Sequence, residues 1–284
     1  MHSDGYAMRE PRYIKWGSYA VLIIAAIIAV LPAIWVFVSS FKVESEVFST
    51  RVELVGPSGI TFANYEALLT RGDFQQWFLN SVMVAAAVTV IGVLLAATAA
   101  YGLSRYKFRA RSATLYIFLV AQMFPGIILL VPLFRMFTEA GLIDHLLALV
   151  IAYSTIAIPF SVLMLKAYFD TIPFDLEEAG MVDGLGVFGA FWKIILPLSV
   201  PGIAVTAFYS FVTAWNEFML ASAFLISRSN LTLPVGLGTF IDPYNQPWHL
   251  LAAASVIITI PVMVFFFLAQ RYLISGLQTG GVKG

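Results

Sequence analysis

Chemistry needs side chains that exchange protons, hold metals or attack, and this chain offers few. It has no cysteine and three scattered histidines, His2, His145 and His249. No thiolate framework, no metal site and no Ser-His-Asp set is suggested by that pattern. The stretch "GLQTGGVKG" (276–284) nearly imitates a phosphate-binding loop. That loop needs Gly-Lys-Ser/Thr in sequence, and here Val282 separates Gly281 from Lys283. Nucleotide binding by this chain is therefore not expected. Two acidic features remain. One is "DLEEAGMVDGLGVFGAFWKIILP" (175–197), with four carboxylates and four glycines in an otherwise apolar chain. The other is Glu217, alone in "WNEF".

The first feature reads as helix–turn–helix. Pro173 stops what precedes it, Asp175 suits an N-cap, and Glu178 lies three residues on, as in a capping box. Acids in a first turn also suit the helix dipole. The helix is expected to end near Val182 and Gly184, with "GLGVFG" as the turn. Phe188, Phe191, Trp192 and Ile195 then repeat at helical spacing up to Pro197. A hairpin this small cannot bury all of that stripe. An amphipathic helix lying on lipid is normally rich in Lys and Arg on its polar face. This one has only Lys193, so docking to another protein is favoured over lying on the membrane.

The elements that position these residues are set by composition. The 284 residues are 60% hydrophobic and 11% charged, with mean hydropathy +0.89. Soluble domains carry about 25% charged residues, so lipid is the expected solvent. Charge-free runs cover 16–41, 74–104, 112–134, 146–165, 194–216 and 243–270. Each reaches the roughly 20 residues that cross a bilayer. Six spans put both termini on one side. The first run is too long for a signal-peptide core and is expected to be retained. The side carrying the N-terminus and "SRYKFRARS" holds eleven Lys and Arg against five on the other. It is expected to be cytoplasmic, and the acidic hairpin lies there too. Net charge is zero, with no indication of nucleic acid.

Between the spans, 42–77 is expected to be an external loop with a short helix at Asn64–Leu69. Phe74–Trp77 are placed at the lipid interface. The run "SVMVAAAVTVIGVLLAATAAYG" is rich in small residues, which allow close helix packing in lipid. Prolines in "QMFPG" and "AIPF" are expected to interrupt the third and fourth spans. The segment 223–249 should form an outer loop stiffened by glycine and proline.

The 175–197 stretch resembles the EAA loop of ABC-importer permeases. Glu178, Ala179, Gly180, Gly184, Ile194, Leu196 and Pro197 stand at that motif's spacing, with Gly180 replacing its second alanine. Glycine there costs up to about 1 kcal/mol of helix propensity and is expected to loosen the helix. The resemblance covers nearly the whole chain. "NSVMVAAAVTVIGVLLAATAAYGLSRYKF", "QMFP" and "FLAQRYLISGLQTGGVKG" resemble the MalG-type permease of maltose/maltodextrin-like carbohydrate importers. The resemblance implies an all-α membrane protein. It would have six transmembrane helices, a cytoplasmic helix–turn–helix coupling loop at 173–197 and both termini cytoplasmic. It implies a non-catalytic subunit paired with a MalF-like permease, two ATPase subunits that bind ATP and Mg, and an extracytoplasmic sugar-binding protein.

By the same resemblance, Glu177, Glu178, Ala179, Gly180, Asp183 and Gly184 would meet the ATPase, and Ile194, Leu196 and Pro197 would anchor the loop. Gln278, Gly280, Gly281 and Lys283 would reach between the ATPases. Gly236, Gly238 and Tyr244 would lie on an outer loop that meets the binding protein's sugar cleft. Glu217 lies about 20 residues beyond Pro197, roughly 30 Å along a helix, near the outer surface. With Asn216 it is either an interfacial residue or part of an outer gate. Maltose or maltodextrin is the first expectation for cargo, with trehalose, sucrose or another oligosaccharide next. A solitary ion-coupled carrier would explain Glu217 but would leave the acidic hairpin without a purpose.

Overall fold

A computed structural model describes residues 12–47, 55–241 and 246–280. They divide into two compact units. The first holds the described residues up to Leu68 and Gln246–Ile257. Its helices are α1 (Arg12–Ser39), α2 (Glu44–Val47) and α3 (Ala63–Leu69). Asn64 ties this unit together, its Nδ2 donating to the carbonyls of Ser40 (2.8 Å) and Lys42 (2.9 Å). The rings of Phe62 and Tyr65 pack on Phe41.

The second unit runs from Leu69 and resumes at Ile258. In chain order it contains α4 (Gly72–Arg105), α5 (Arg111–Met123), a 3₁₀ turn (Gly126–Leu129), α6 (Leu130–Glu139) and α7 (Leu146–Phe169). Next come α8 (Asp175–Val182), α9 (Val187–Ala190), a π turn (Phe191–Ile195), α10 (Leu196–Leu198) and α11 (Val200–Trp215). The short α12 (Met219–Phe224) and α13 (Leu233–Gly238) follow. The last helix, α14 (Trp248–Gly280), begins in the first unit and continues in the second.

Small residues do build the central contacts. Ala85, Ala96, Ala97 and Ala100 on α4 are buried against α7 and α11, and close backbone approach maximises dispersion where water supplies no drive. A side chain at Gly202 would press on the Tyr168 ring at 2.8 Å, so α11 also lies tight on α7. Farther along, Phe211 of α11 stacks on Phe265 of α14, with centroids 4.9 Å apart.

Among the described residues, four helices, α1, α4, α7 and α14, are long and apolar enough to cross a membrane; two sharply bent pairs raise the number to six if each is one span. The first pair turns by 97° at Phe124–Pro125. Phe124 is extended (φ −79°, ψ 120°), as proline demands of its predecessor. The second turns by 79° at Ser199, just before Pro201 of α11. The expected interruption of the fourth span does not occur, because α7 runs unbroken through Pro159. Proline removes one ladder bond there, which packed helices can tolerate.

A further expectation is corrected. Phe74 and Trp77 are not at a lipid interface: they are 1% and 0% exposed, enclosed by the chain itself. Trp77 Nε1 donates to the Arg228 carbonyl at 2.7 Å. A buried indole needs such a partner, and the 228–240 segment provides it.

Candidate functional site

The hairpin is built as helix, turn, helix. Its capping box is not formed. Phe174 occupies the N-cap position with helical angles, and no side chain caps the helix. The Phe174 carbonyl instead accepts from the amides of Glu177 (2.9 Å) and Glu178 (3.1 Å). Asp175, Glu177 and Glu178 still fill the first turn, where the dipole favours them. The far end is closed as expected. Gly184 adopts φ +90°. Its amide donates to Met181 O (3.1 Å), and that of Leu185 to Gly180 O (2.9 Å). This is the paired pattern of a Schellman cap.

Gly180 has a packing role beyond helix propensity. Its missing side chain is where Ile194 Cδ1 sits, and Leu185 Cδ1 lies 3.3 Å from the same point. Glycine lets the two arms close on each other. The returning arm widens into the π turn just before Pro197. Proline has no N–H for the carbonyl four residues back, so the ladder slips by one. Its buried anchors are Phe191 and Ile195, in a cluster with Ala97, Ala100, Leu165 and Phe169. Of the three anchors expected from sequence, Ile194 and Leu196 are half-buried and Pro197 is exposed.

The carboxylates separate by direction. Glu178, Ala179 and Asp183 are exposed. Around them the hairpin also exposes Met181, Val182 (87%), Phe188 (73%) and Trp192. Glu177 turns inward, which corrects its assignment as a direct partner contact. Its carboxylate forms an ion pair with Arg105 of α4, with side chains 5% and 4% exposed. The hydroxyl of Tyr101 donates to its other oxygen at 2.7 Å. Arg105 Nη2 reaches the Ile172 carbonyl (3.1 Å), and the guanidinium lies 4.5 Å over the Phe174 ring. Beside it Ser104 Oγ donates to Asp170 (2.7 Å), which also pairs with Lys166. Sequence reasoning missed Arg105 and Tyr101. By itself the basic run "SRYKFRARS" signals only topology charge, although Arg105 closes a long apolar span.

At the opposite end of α4, Asn80 Nδ2 donates to the carbonyls of Ser229 and Leu231, both at 2.9 Å. Ser81 Oγ accepts the Leu233 amide. The glycines expected on an exposed finger are packing positions instead. Gly236 is buried, and a side chain there would collide with the Trp77 ring. A side chain at Gly238 would meet Phe218 Cε2 at 3.1 Å. Tyr244 lies outside the described residues, as do Gly281 and Lys283; Gln278 and Gly280 fall on the last turn of α14.

Glu217 caps α12. Its carboxylate accepts from the amides of Leu220 (2.7 Å) and Ala221 (3.0 Å) and from Tyr153 OH (2.6 Å). Together with exposed Asn216 it lines an open pocket of about 500 Å³, beside Phe160, Phe208, Tyr209 and Thr213. Nearby, Asp144 (φ +65°) staples the turn before α7 to the segment after α12. It accepts from the amides of Ile226 (2.9 Å) and Ser227 (2.8 Å) and from Ser227 Oγ. Burial alone would raise its pKa, but these donors outweigh that and hold it down to about 2.

Residues 89–279 match the family described as "Binding-protein-dependent transport system inner membrane component". The chain is 38% identical over 270 residues to the inner membrane ABC transporter permease protein YcjP of Escherichia coli (strain K12), covering 94% of this chain and 96% of that protein. It is 36% identical over 280 residues to the trehalose transport system permease protein SugB of Mycobacterium tuberculosis (strain CDC 1551 / Oshkosh), covering 98% and 100%. Its fold is similar to that of a solved bacterial ABC transporter involved in import of the acidic polysaccharide alginate. The TM-score is 0.81 at 23% identity, covering 93% of this chain and 98% of that one.

Proposed function

Since the chain belongs to the family of inner-membrane components of binding-protein-dependent transport systems, the non-catalytic permeases of ABC transporters, we propose that it imports a di- or oligosaccharide. In this reading it forms a translocation path with a MalF-like partner permease. Two ATPase subunits bind ATP and Mg, and an extracytoplasmic binding protein delivers the sugar. The chain crosses the membrane six times, with both termini and the hairpin in the cytoplasm.

One observation carries the coupling role. The hairpin is anchored from within by Phe191, Ile195 and Glu177, while its outer face presents Glu178 and Asp183 beside Met181, Val182 and Phe188. A rigid element with an unburied apolar face and an acidic rim suits a groove with basic groups at its edge. The ATPase is the partner whose movement must reach the membrane. The ending "GGVKG" favours maltose or maltodextrin as cargo, whereas the 36% identity to SugB favours trehalose.

The test is sugar-stimulated ATP hydrolysis by the reconstituted complex with its binding protein, scanned over maltodextrins, trehalose, sucrose and other oligosaccharides. One sugar should stimulate the wild type, and Glu178→Lys should abolish that response while the ATPases still bind weakly. Unchanged stimulation and uptake in Glu178→Lys would show that the hairpin does not transmit the stroke.

A further inference from the structure

Covalent connection ties the hairpin to α7, through residues 170–174, and to α11, through Ser199. It does not tie it to α4, whose last turn lies about 70 residues earlier in the chain. Yet α4 packs on both α7 and α11 and holds the outer segment 228–233 at its other end. Any stroke that reaches α4 directly from the hairpin must pass through side chains.

We propose that Glu177, Arg105 and Tyr101 form the joint that passes movement of the hairpin to α4, and that this joint stays closed throughout the transport cycle. The inference rests on the coupling reading above. Three features support it. Each guanidinium nitrogen of Arg105 and each carboxylate oxygen of Glu177 makes a hydrogen bond. One Glu177 oxygen takes Arg105 Nε and the other takes Tyr101 OH. The remaining guanidinium nitrogens are held by Ile172 O and Ser104 Oγ. The joint is enclosed, with both charged side chains about 5% exposed. Separating such a pair leaves a buried charge uncompensated, so opening is strongly opposed. Finally, the joint has an apolar floor. The Phe191 ring lies 4.8 Å from that of Tyr101 and continues into the buried cluster. A load on the hairpin therefore reaches α4 through charge, hydrogen bond and ring contact together. These are positioning residues, and none of them needs to touch sugar or nucleotide.

The natural chain lacks cysteine, which permits a direct test. Sugar imported per ATP hydrolysed is measured in the reconstituted complex, with ATPase retention as the check on assembly. Tyr101→Phe removes one hydroxyl without disturbing the ring, and should lower import per ATP by roughly threefold, the scale of one hydrogen bond. Glu177→Gln should lower it further while hydrolysis persists. In Arg105→Cys/Glu177→Cys, coupling should be lost, and a thiol cross-linker as long as the two lost side chains should restore it. A merely structural role would lower the amount of complex, not the ratio. Wild-type import per ATP in both Tyr101→Phe and Glu177→Gln overturns the joint. So does a cross-link that leaves coupling lost, because a joint that stays closed should then be enough to transmit the stroke. A wild-type complex whose hydrolysis answers to no sugar overturns the importer reading itself, and the joint's role with it.

Discussion

Glu177 and Glu178 are neighbours in sequence and opposites in environment. A helix turns about 100° per residue, so when one carboxylate meets Arg105 inside, the next is carried to the surface. Asp144 shows a different use of an acid. Its folded pKa of about 2 lies below the usual carboxylate value of about 3.9. A depressed pKa contributes stability that is present above the unfolded value and is lost as pH falls toward the folded one. The Asp144 staple should therefore weaken between about pH 4 and pH 2. Asparagine accepts the left-handed backbone at this position, so Asp144→Asn isolates the charge. Thermal unfolding should show lower stability at pH 7 for the variant and a shallower loss from pH 4 to pH 2. Parallel curves for variant and wild type would remove the staple from the acid response.

Among elements, the hairpin was largely legible and the outer segment was not. Glycine, acids and a 3.6-residue stripe are local signals, and α8, its turn and the returning arm follow from them. Gly184 is the sharpest local requirement, because φ +90° strains any residue with a Cβ. Gly184→Val should cost about 1–3 kcal/mol of local stability. It should also cut retention of the ATPases in pull-down, whereas Gly180→Ala requires only that the side-chain ends of Ile194 and Leu185 give way. Equal retention by Gly184→Val and wild type would mean that the cap does not set the hairpin's shape. In the outer segment, glycine and proline by themselves suggest an exposed finger. Gly236 in fact gives room to Trp77, which lies about 160 residues away in sequence. Composition cannot distinguish a glycine needed for a turn from one needed for close approach.

At the scale of the whole molecule, the charge-free runs correspond to four long helices and two bent pairs. The orientation we propose can be checked with single cysteines in this cysteine-free chain. Ser58→Cys and Ser112→Cys both replace exposed residues. A membrane-impermeant maleimide should label Ser58→Cys in intact cells and Ser112→Cys only after permeabilisation. The reverse pattern would invert the topology and remove the hairpin from the ATPase side.

Sequence alone determined the lipid solvent, the apolar runs, the acidic hairpin and its glycine cap, because each depends on composition or on residues within a few turns of one another. Its resemblance to importer permeases rested on one long local motif together with matching runs elsewhere. Only the tertiary structure decided which carboxylate faces inward, that Arg105 is a buried partner rather than a topology charge, that Glu177 meets Tyr101 some 76 residues earlier, and that Trp77 roofs Gly236. Those outcomes depend on which helix faces pack together, and no local pattern in a single sequence encodes a pairing between distant faces.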